Sequence, residues 1–305
     1  MTIKKRITNK KSATPKATLT KRDKTSPAIK VAGLNANVKA GVTFRGTTFK
    51  KDTDVKAPAE GYAAGCDYVV TIERGKPVAK PMETARIPAN AIGGFHFAPG
   101  GNAMGTAGGD SIPAINQHSI WDRNFRPACG DPRGMTLVDV PAKGRVWCDI
   151  YLLGKDHLEN GTSRHGVTIA DGADLPQNPA GGSFSKFDYD AACAVMKHHG
   201  KQLLGAEEFF AAAYGVTEKT AAPTEPKLTD LDAPRTSRWG LMQATGNMWI
   251  WGTDGHPDLP RPSLFGGSWL NDGSAGSRFA NLVYWPGLSS GPVGARGRSD
   301  HLQLV

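Results

Sequence analysis

The twelve-residue stretch GLMQATGNMWIW, residues 240–251, is the most informative part of the chain. It places two glycines in a short segment that ends with Trp249 and Trp251. Glycine permits tight bends with positive φ, and a buried tryptophan supplies a large apolar area where regular structure is sparse. The stretch therefore predicts an irregular domain that is anchored by buried aromatic side chains.

Related motifs lie on both sides of this stretch in a defined order. GKQLL at 200–204 and AEEF at 206–209 precede it, and GGSW at 266–269 and GAR at 294–296 follow it. This order and spacing resembles the formylglycine-generating-enzyme branch of the C-type lectin fold, and the resemblance covers about residues 130–301. It implies an α+β domain with much irregular loop.

Two helices are expected within this domain. The first begins after Asp188, a good N-cap residue, and ends at Gly200. The second runs from Ala206 to Tyr214, and the acids in its first turn suit the helix dipole. After Pro223 no helix is expected.

Short β-strands are expected upstream, separated by Gly, Pro, Asp and Lys. Residues 42–44 and 68–72 have strand composition, and residues 133–138 and 146–154 predict a hairpin. The glycine-rich segment 93–109 lacks the ending of a phosphate-binding loop and is expected to be a long surface loop. A small β-rich domain should therefore precede the lectin-like domain.

The charge of the chain is concentrated at its beginning. Residues 1–30 contain ten Lys or Arg and one acid, so they account for the whole formal net charge of +9. Such a polar, Ser/Thr/Pro-punctuated segment is typical of disorder. We therefore expect a disordered basic tail over residues 1–35, a β-rich domain over 36–128 and a lectin-fold domain over 129–305. The tail could bind nucleic acid, an acidic partner or a membrane surface, or be merely a solvated leader.

The chemistry of formylglycine-generating enzymes is not expected in this chain. Their catalytic cysteines lie in the C-terminal part, whereas no cysteine follows Cys193, so a copper-thiolate oxidation has no ligands. The acid that the resemblance associates with calcium is replaced by Ile250. We expect no catalytic residue, metal or cofactor. A degenerate oxidase using Asp300 and His301 remains the alternative.

Residues 266–301 resemble the variable region of proteins diversified by retroelements. The stretches at 93–102 and 149–154 look like the phage-encoded members of this group. The resemblance implies that template Asn codons are rewritten to many residues, but never to Lys, Glu, Gln, Met or Trp. The window contains no Lys, Glu, Gln or Met, so its two tryptophans would be fixed.

Variable display positions and fixed scaffold positions can be separated within and around this window. An ordinary core segment is the alternative interpretation. Display residues should be exposed, because most core substitutions are destabilising. The predicted ligand-binding display residues are Ser268, Leu270, Asp272, Phe279, Leu282, Val283, Tyr284, Leu288, Ser290 and Pro292. The predicted scaffold residues are Trp249, Trp251, Trp269, Arg278, Trp285 and Arg296.

The resemblance implies a hypervariable binding protein, most simply one that recognises a phage host receptor. Its ligand, a host-surface or other protein or glycan, would bind residues 266–301. The alternatives are the degenerate oxidase and a nucleic-acid-associated protein acting through residues 1–30. No stretch is long and apolar enough to span a membrane, and no apolar segment follows the basic residues as in a signal peptide. A phage-encoded chain would lie at the virion tail tip, and otherwise it would be cytoplasmic.

Overall fold

The computed structural model describes residues 18–99, 112–141, 143–255, 262–282 and 284–302. These ranges form small β-sheets, three α-helices and long ordered loops. No helix in them is long and apolar enough to cross a membrane.

Six short strands build the N-terminal part in two sheets. Residues such as Ile29, Val38 and Phe44 are fully buried and share one hydrophobic core. One sheet has the order β1-β4-β5 and the other β2-β3-β6. The strands are β1 (Leu19–Thr20), β2 (Ile29–Ala32), β3 (Asn35–Val38), β4 (Thr43–Phe44), β5 (Thr47–Thr48) and β6 (Thr53–Asp54).

Part of the predicted disordered tail is ordered, so the prediction for residues 1–35 is wrong from residue 18 onward. Leu19 is buried in the core, and the Lys21 side chain is only 5% exposed with its Nζ 2.6 Å from Asp122 Oδ2. The Asp122 carboxylate also accepts a hydrogen bond from Ala28 N at 2.6 Å. A lysine matched to a buried acid at long sequence separation is not visible in local composition. Residues 1–17 lie outside the described residues.

A five-stranded antiparallel sheet follows, with the order β10-β9-β7-β8 and β11 paired to β9. Its central strands contribute Tyr68, Val70 and Phe95 to the same core as the N-terminal sheets. The strands are β7 (Cys66–Glu73), β8 (Lys76–Pro81), β9 (Ala91–Pro99), β10 (Pro113–Ile115) and β11 (Trp121–Asp122).

The expected surface loop over 93–109 is wrong where the structure describes it, because Gly93 and Gly94 lie inside β9. A side chain at Gly93 would place its Cβ 2.1 Å from the carbonyl oxygen of Trp121. At Gly94 the Cβ would lie 2.4 Å from the carbonyl oxygen of Tyr68. Glycine here permits close approach of neighbouring strands rather than a loop. Residues 100–109 lie outside the described residues.

The third part contains the predicted hairpin. β12 (Met135–Val140) and β13 (Gly144–Asp149) pair antiparallel in register, from Met135 opposite Asp149 to Val140 opposite Gly144.

The helices of this part confirm the two predictions. After α1 (His157–Asn160), α2 (Tyr189–His198) begins at Asp188, whose side chain accepts a hydrogen bond from Ala191 N at 3.0 Å. β14 (Gln202–Leu203) then leads to α3 (Ala206–Ala212), where Glu208 accepts a hydrogen bond from Gly205 N.

The remaining strands complete two four-stranded sheets. They are β15 (Trp249–Gly252), β16 (Ser263–Phe265), β17 (Ala280–Asn281), β18 (Val293–Gly294) and β19 (Gly297–Asp300). One sheet has the order β12-β13-β19-β14, so the last strand of the described chain is internal to it. The other has the order β17-β16-β15-β18.

The glycine-rich stretch 240–251 is mostly ordered loop until β15 begins. Gly246 has φ +69°, and its N–H points to the carbonyl oxygens of Gly266 and Gly267. A Cβ at Gly246 would lie 2.4 Å from the carbonyl oxygen of Thr220. The stretch therefore joins the loop before it to the start of the 266–301 segment.

The β-rich and lectin-like parts pack directly on one another. Trp121 and Phe125 share an apolar cluster with Met135 and Trp147. Beside it, His96 Nδ1 lies 3.1 Å from Asp67 Oδ1, and His96 Nε2 lies 3.0 Å from Tyr151 Oη. These buried contacts hold the two parts in one orientation.

Candidate functional site

The segment 266–301 follows β16, contributes β17 and β18 to the same sheet, and ends with β19 in the other four-stranded sheet. Gly266 N donates to the carbonyl oxygen of Phe279 at 2.9 Å, and Gly276 N donates to that of Gly266 at 3.0 Å. Trp269 N donates to the Asn247 carbonyl oxygen at 3.1 Å. These bonds close an ordered loop with little regular structure.

Most of the predicted display residues that the structure describes are accessible. Leu270 and Leu282 are 58% and 45% exposed, which is unusual for leucine, and Asp272 is also exposed. Phe279, Tyr284, Leu288, Ser290 and Pro292 are partly buried. Val283 lies outside the described residues.

The segment 266–301 packs on two separate hydrophobic clusters. Tyr284 and Leu288 pack on the core cluster that contains Trp251, whereas Trp269 packs on the cluster that contains Phe265. Tyr189 N, at the start of α2, donates to the Pro286 carbonyl oxygen at 3.1 Å. Whether all display residues share one face stays a prediction.

Ser268 is the exception among the display residues, because it is only 1% exposed. Its N–H donates to Asn271 Oδ1 at 2.8 Å, and its hydroxyl lies 2.7 Å from the same atom. The prediction that Ser268 is displayed is wrong, since its side chain closes a local turn. The Ser-x-x-Asn spacing is the sequence signal that could have indicated this turn.

Two predicted scaffold residues are exposed rather than buried. Trp285 is 64% exposed, and Arg278 is exposed with its guanidinium 5.4 Å from the ring centre of Phe210. The prediction of burial is therefore wrong for both. Asn281, which was not among the predicted display residues, is also exposed.

The buried scaffold centres on Arg296, which is fully buried. Its Nη1 donates to the carbonyl oxygens of Asp149 and Ile150 at 2.8 and 2.6 Å. Its Nη2 donates to those of Met242 and Gln243 at 2.6 and 3.2 Å. Arg296 thus ties the glycine-rich stretch to the end of β13, and burial lowers its pKa to about 10.

The Asp149 carboxylate supplies the charge balance for this scaffold. It pairs with Lys201 Nζ and accepts hydrogen bonds from Thr162 Oγ1 at 2.8 Å and Gly297 N at 3.1 Å. Attraction to Asp149 outweighs burial and raises the pKa of Lys201, so the lysine stays charged. Lys201 belongs to the GKQLL motif, which therefore has a structural role.

The tryptophans of the central stretch differ in burial. Trp251 is fully buried, and its ring lies 6.4 Å from that of Tyr284. Trp249 and Trp269 are partly exposed. Trp251 is thus the main aromatic support beneath the display segment.

The described residues do not assemble a metal or thiol centre. No group of three or more His, Cys, Asp or Glu in these ranges could hold a metal ion, and Ile250 is fully buried among apolar side chains. All four cysteines are free, and burial raises the pKa of Cys129 and Cys193. High thiol pKa values oppose thiolate chemistry.

Asp300 and His301 do not form a catalytic pair. His301 Nδ1 accepts a hydrogen bond from Trp147 Nε1 at 2.9 Å, and Asp300 pairs with Arg298. Burial lowers the pKa of His301, which favours this neutral acceptor. Both side chains therefore have structural partners.

Comparisons with known proteins agree with this architecture. The sequence model of the Mtd second domain matches residues 26–122. The tail fiber receptor-binding protein of Bordetella phage BPP-1 is 38% identical over 333 residues, covering 95% of this chain and 86% of the relative. The solved Major Tropism Determinant U1 and P3c variants are 36% and 37% identical with a TM-score of 0.84, covering 95% of this chain and 87% of theirs.

The α+β fold and the exposed C-terminal loop define a variable protein built on the C-type lectin fold, as predicted. Within that class the chain belongs to the major tropism determinant family.

Proposed function

We propose that this chain recognises a receptor on the surface of a phage host cell. Residues 266–301 would bind the receptor, and the chain would lie in the virion tail. The observation that carries the proposal is the exposure of Leu270, Leu282 and Trp285 in one irregular segment. Large apolar side chains are exposed at a cost in solubility, and tryptophan is enriched where binding energy concentrates.

The support under the segment suits a binding surface whose side chains change. Arg296 and Trp251 are fully buried beneath the exposed residues, and neither is a display residue. The backbone is therefore held by side chains that stay the same when the display residues change. Binding residues commonly lie on loops that a rigid scaffold positions. We propose Leu270, Asp272, Phe279, Leu282, Tyr284, Leu288, Ser290 and Pro292 as receptor contacts, and add Arg278, Asn281 and Trp285.

We also propose that residues 129–305 form the lectin-fold unit and that the β-rich unit reaches back to residue 18. No enzymatic role is proposed for Asp300 and His301, because they pair with Arg298 and Trp147. A partner for residues 1–30 is not supported at Lys21 and Lys30, since each pairs with an acid of this chain.

The proposal is tested by adsorption of fluorescently labelled protein to host cells. Leu282→Ser and Trp285→Ser should each weaken cell binding at least about tenfold, as loss of an interface anchor does. Leu158→Ser is the matched control, because Leu158 is 42% exposed in the same domain outside the segment. Equal binding by all three variants would contradict the proposal.

Diversification is tested in the genome. A second copy of codons 266–301 that differs from the gene only at template adenines should lie near a reverse-transcriptase gene. Mismatches at other template bases would contradict diversification, but they would leave receptor binding untouched.

A further inference from the structure

Glu218 lies outside the segment 266–301 but contacts its middle. Ser277 N donates to Glu218 Oε2 at 3.0 Å and lies 3.3 Å from Oε1. The Ser277 hydroxyl donates to Glu218 Oε1. One carboxylate thus receives the backbone and the side-chain donor of a single residue that is 2% exposed. Hydrogen bonds to an ionised acceptor are about twice as strong as neutral ones.

The backbone next to Ser277 is shaped to admit this carboxylate. A Cβ at Gly276 would lie 2.0 Å from Glu218 Oε2, so any other residue there would displace the Glu218 side chain. Gly276 has φ +155° and donates its N–H to the carbonyl oxygen of Gly266. Glycine at this position therefore leaves the space that Glu218 occupies.

The loop that carries Glu218 is itself firmly held. On one side Thr217 N donates to the Pro234 carbonyl oxygen at 2.8 Å. On the other side Ala222 N donates to the Gly246 carbonyl oxygen at 2.7 Å. Glu218 therefore extends from a loop that is anchored to the glycine-rich stretch.

We propose that Glu218 is a positioning residue that fixes the backbone of the variable segment at Gly276 and Ser277 from outside that segment. Exposed positions on either side, such as Asp272 before this point and Arg278 after it, can then change without moving the backbone at Gly276 and Ser277. The claim that this positioning favours ligand binding rests on the proposed function, whereas the claim that Glu218 holds the backbone does not. A preorganised loop loses less conformational freedom on binding.

The test measures amide hydrogen exchange of the purified full-length protein. Glu218→Ala should speed deuterium uptake in a peptide spanning residues 275–280 at least tenfold, and Glu218→Gln should have an intermediate effect. Uptake in β12 and β13, and the Tm, should stay as in the parent. Glu207→Gln is the matched control, because Glu207 is a 62% exposed acid of the same domain.

Trypsin gives an independent readout, since it cleaves after Arg278. Glu218→Ala should be cut at this bond faster than the parent and the Glu207→Gln control. Ser277→Ala removes the hydroxyl donor, leaves the carboxylate in place and should give a smaller increase. If Glu218→Ala fails to fold, Glu218→Gln and Ser277→Ala carry the test.

Unchanged exchange and unchanged cleavage in these variants would overturn the proposal, and so would an equal increase of exchange along the whole chain. Neither measurement uses a receptor. Failure of host-cell binding would therefore overturn the proposed function alone, and failure of local exchange would overturn the role of Glu218 alone.

Discussion

At the scale of single residues, exposure within 266–301 follows the contacts that each side chain makes and not the residue type. Trp285 is 64% exposed although it is the largest side chain of its loop, whereas Ser268 is buried because its donors meet Asn271. Tyr284 is partly buried, since its ring packs in an edge-to-face arrangement with Trp251.

A three-variant stability series tests this ranking. Leu282→Ala should change the free energy of unfolding by less than about 0.5 kcal/mol, as at surface sites. Tyr284→Ala should cost about 1–2 kcal/mol and Trp269→Ala about 2–3 kcal/mol, below the range for fully buried aromatics because both are partly exposed. Urea denaturation measures all three. If Leu282→Ala lowered the free energy of unfolding as much as Trp269→Ala, the segment would be part of the hydrophobic core.

At the scale of elements, α2 illustrates what local sequence can specify. Asp188 accepts a hydrogen bond from Ala191 N, and Ala192, Val195 and Met196 are buried on one face. These interactions lie within ten residues, so a pattern in one sequence suffices to predict them.

Removal of this N-cap should destabilise the protein by about 1–2 kcal/mol, because Asp188→Ala leaves an N–H of the first turn without its acceptor. Asp190→Ala is the control, since Asp190 is exposed in the same turn. Urea denaturation of the two variants compares them directly. Equal losses would mean that charge near the helix start, and not the cap, provides the stability.

Interactions over long sequence separations escaped prediction. The motifs indicated the fold, and Asp188 and the hairpin were predictable from neighbouring residues. Burial of Lys21 depends on Asp122, and the contact of Arg278 with Phe210 depends on α3 lying beneath it. A single sequence contains no period or spacing that reports such pairs.

At the scale of the whole molecule, the N-terminal strands are part of the packed body. Lys21 contacts Asp122 beside Phe125, whose ring also touches His301 near the end of the described chain. Arg145 of β13 donates to the Thr25 carbonyl oxygen at 2.9 Å. The loop between β1 and β2 therefore contacts the lectin-like part directly.

Lys21→Met should cost about 3–5 kcal/mol, because it leaves the Asp122 carboxylate buried without its cation. Lys30→Met is the matched control, since Lys30 pairs with Asp52 on the surface at 51% exposure and should change stability little. Thermal and urea unfolding measure both. If the two variants have the same Tm and the same urea midpoint, the Lys21–Asp122 pair does not stabilise the protein and residues 18–30 are dispensable for folding.

Stability should fall as the pH decreases from 7 to 5. Burial lowers the pKa of His118 and His199 to about 4, while unfolded histidine titrates near 6.5. The unfolded state therefore binds protons first, and stability present above pH 6.5 is lost toward pH 4. After discounting for partial exposure we expect roughly 1 kcal/mol from each histidine.

Urea denaturation at several pH values measures this loss. His199→Asn should reduce the slope of stability against pH, whereas replacing the exposed His198 should not. If the slope of stability against pH were unchanged in His199→Asn, the pH dependence would not come from His199.

The internal position of β19 determines what a frameshift or premature stop codon does to the folded protein. β19 pairs with β13 on one side and β14 on the other, although it follows the segment 266–296 in the chain. A frameshift or premature stop in that segment removes the middle strand of the sheet as well as Arg296. Such a chain lacks both supports, so we expect only a gene read in frame through β19 to give a folded binding surface.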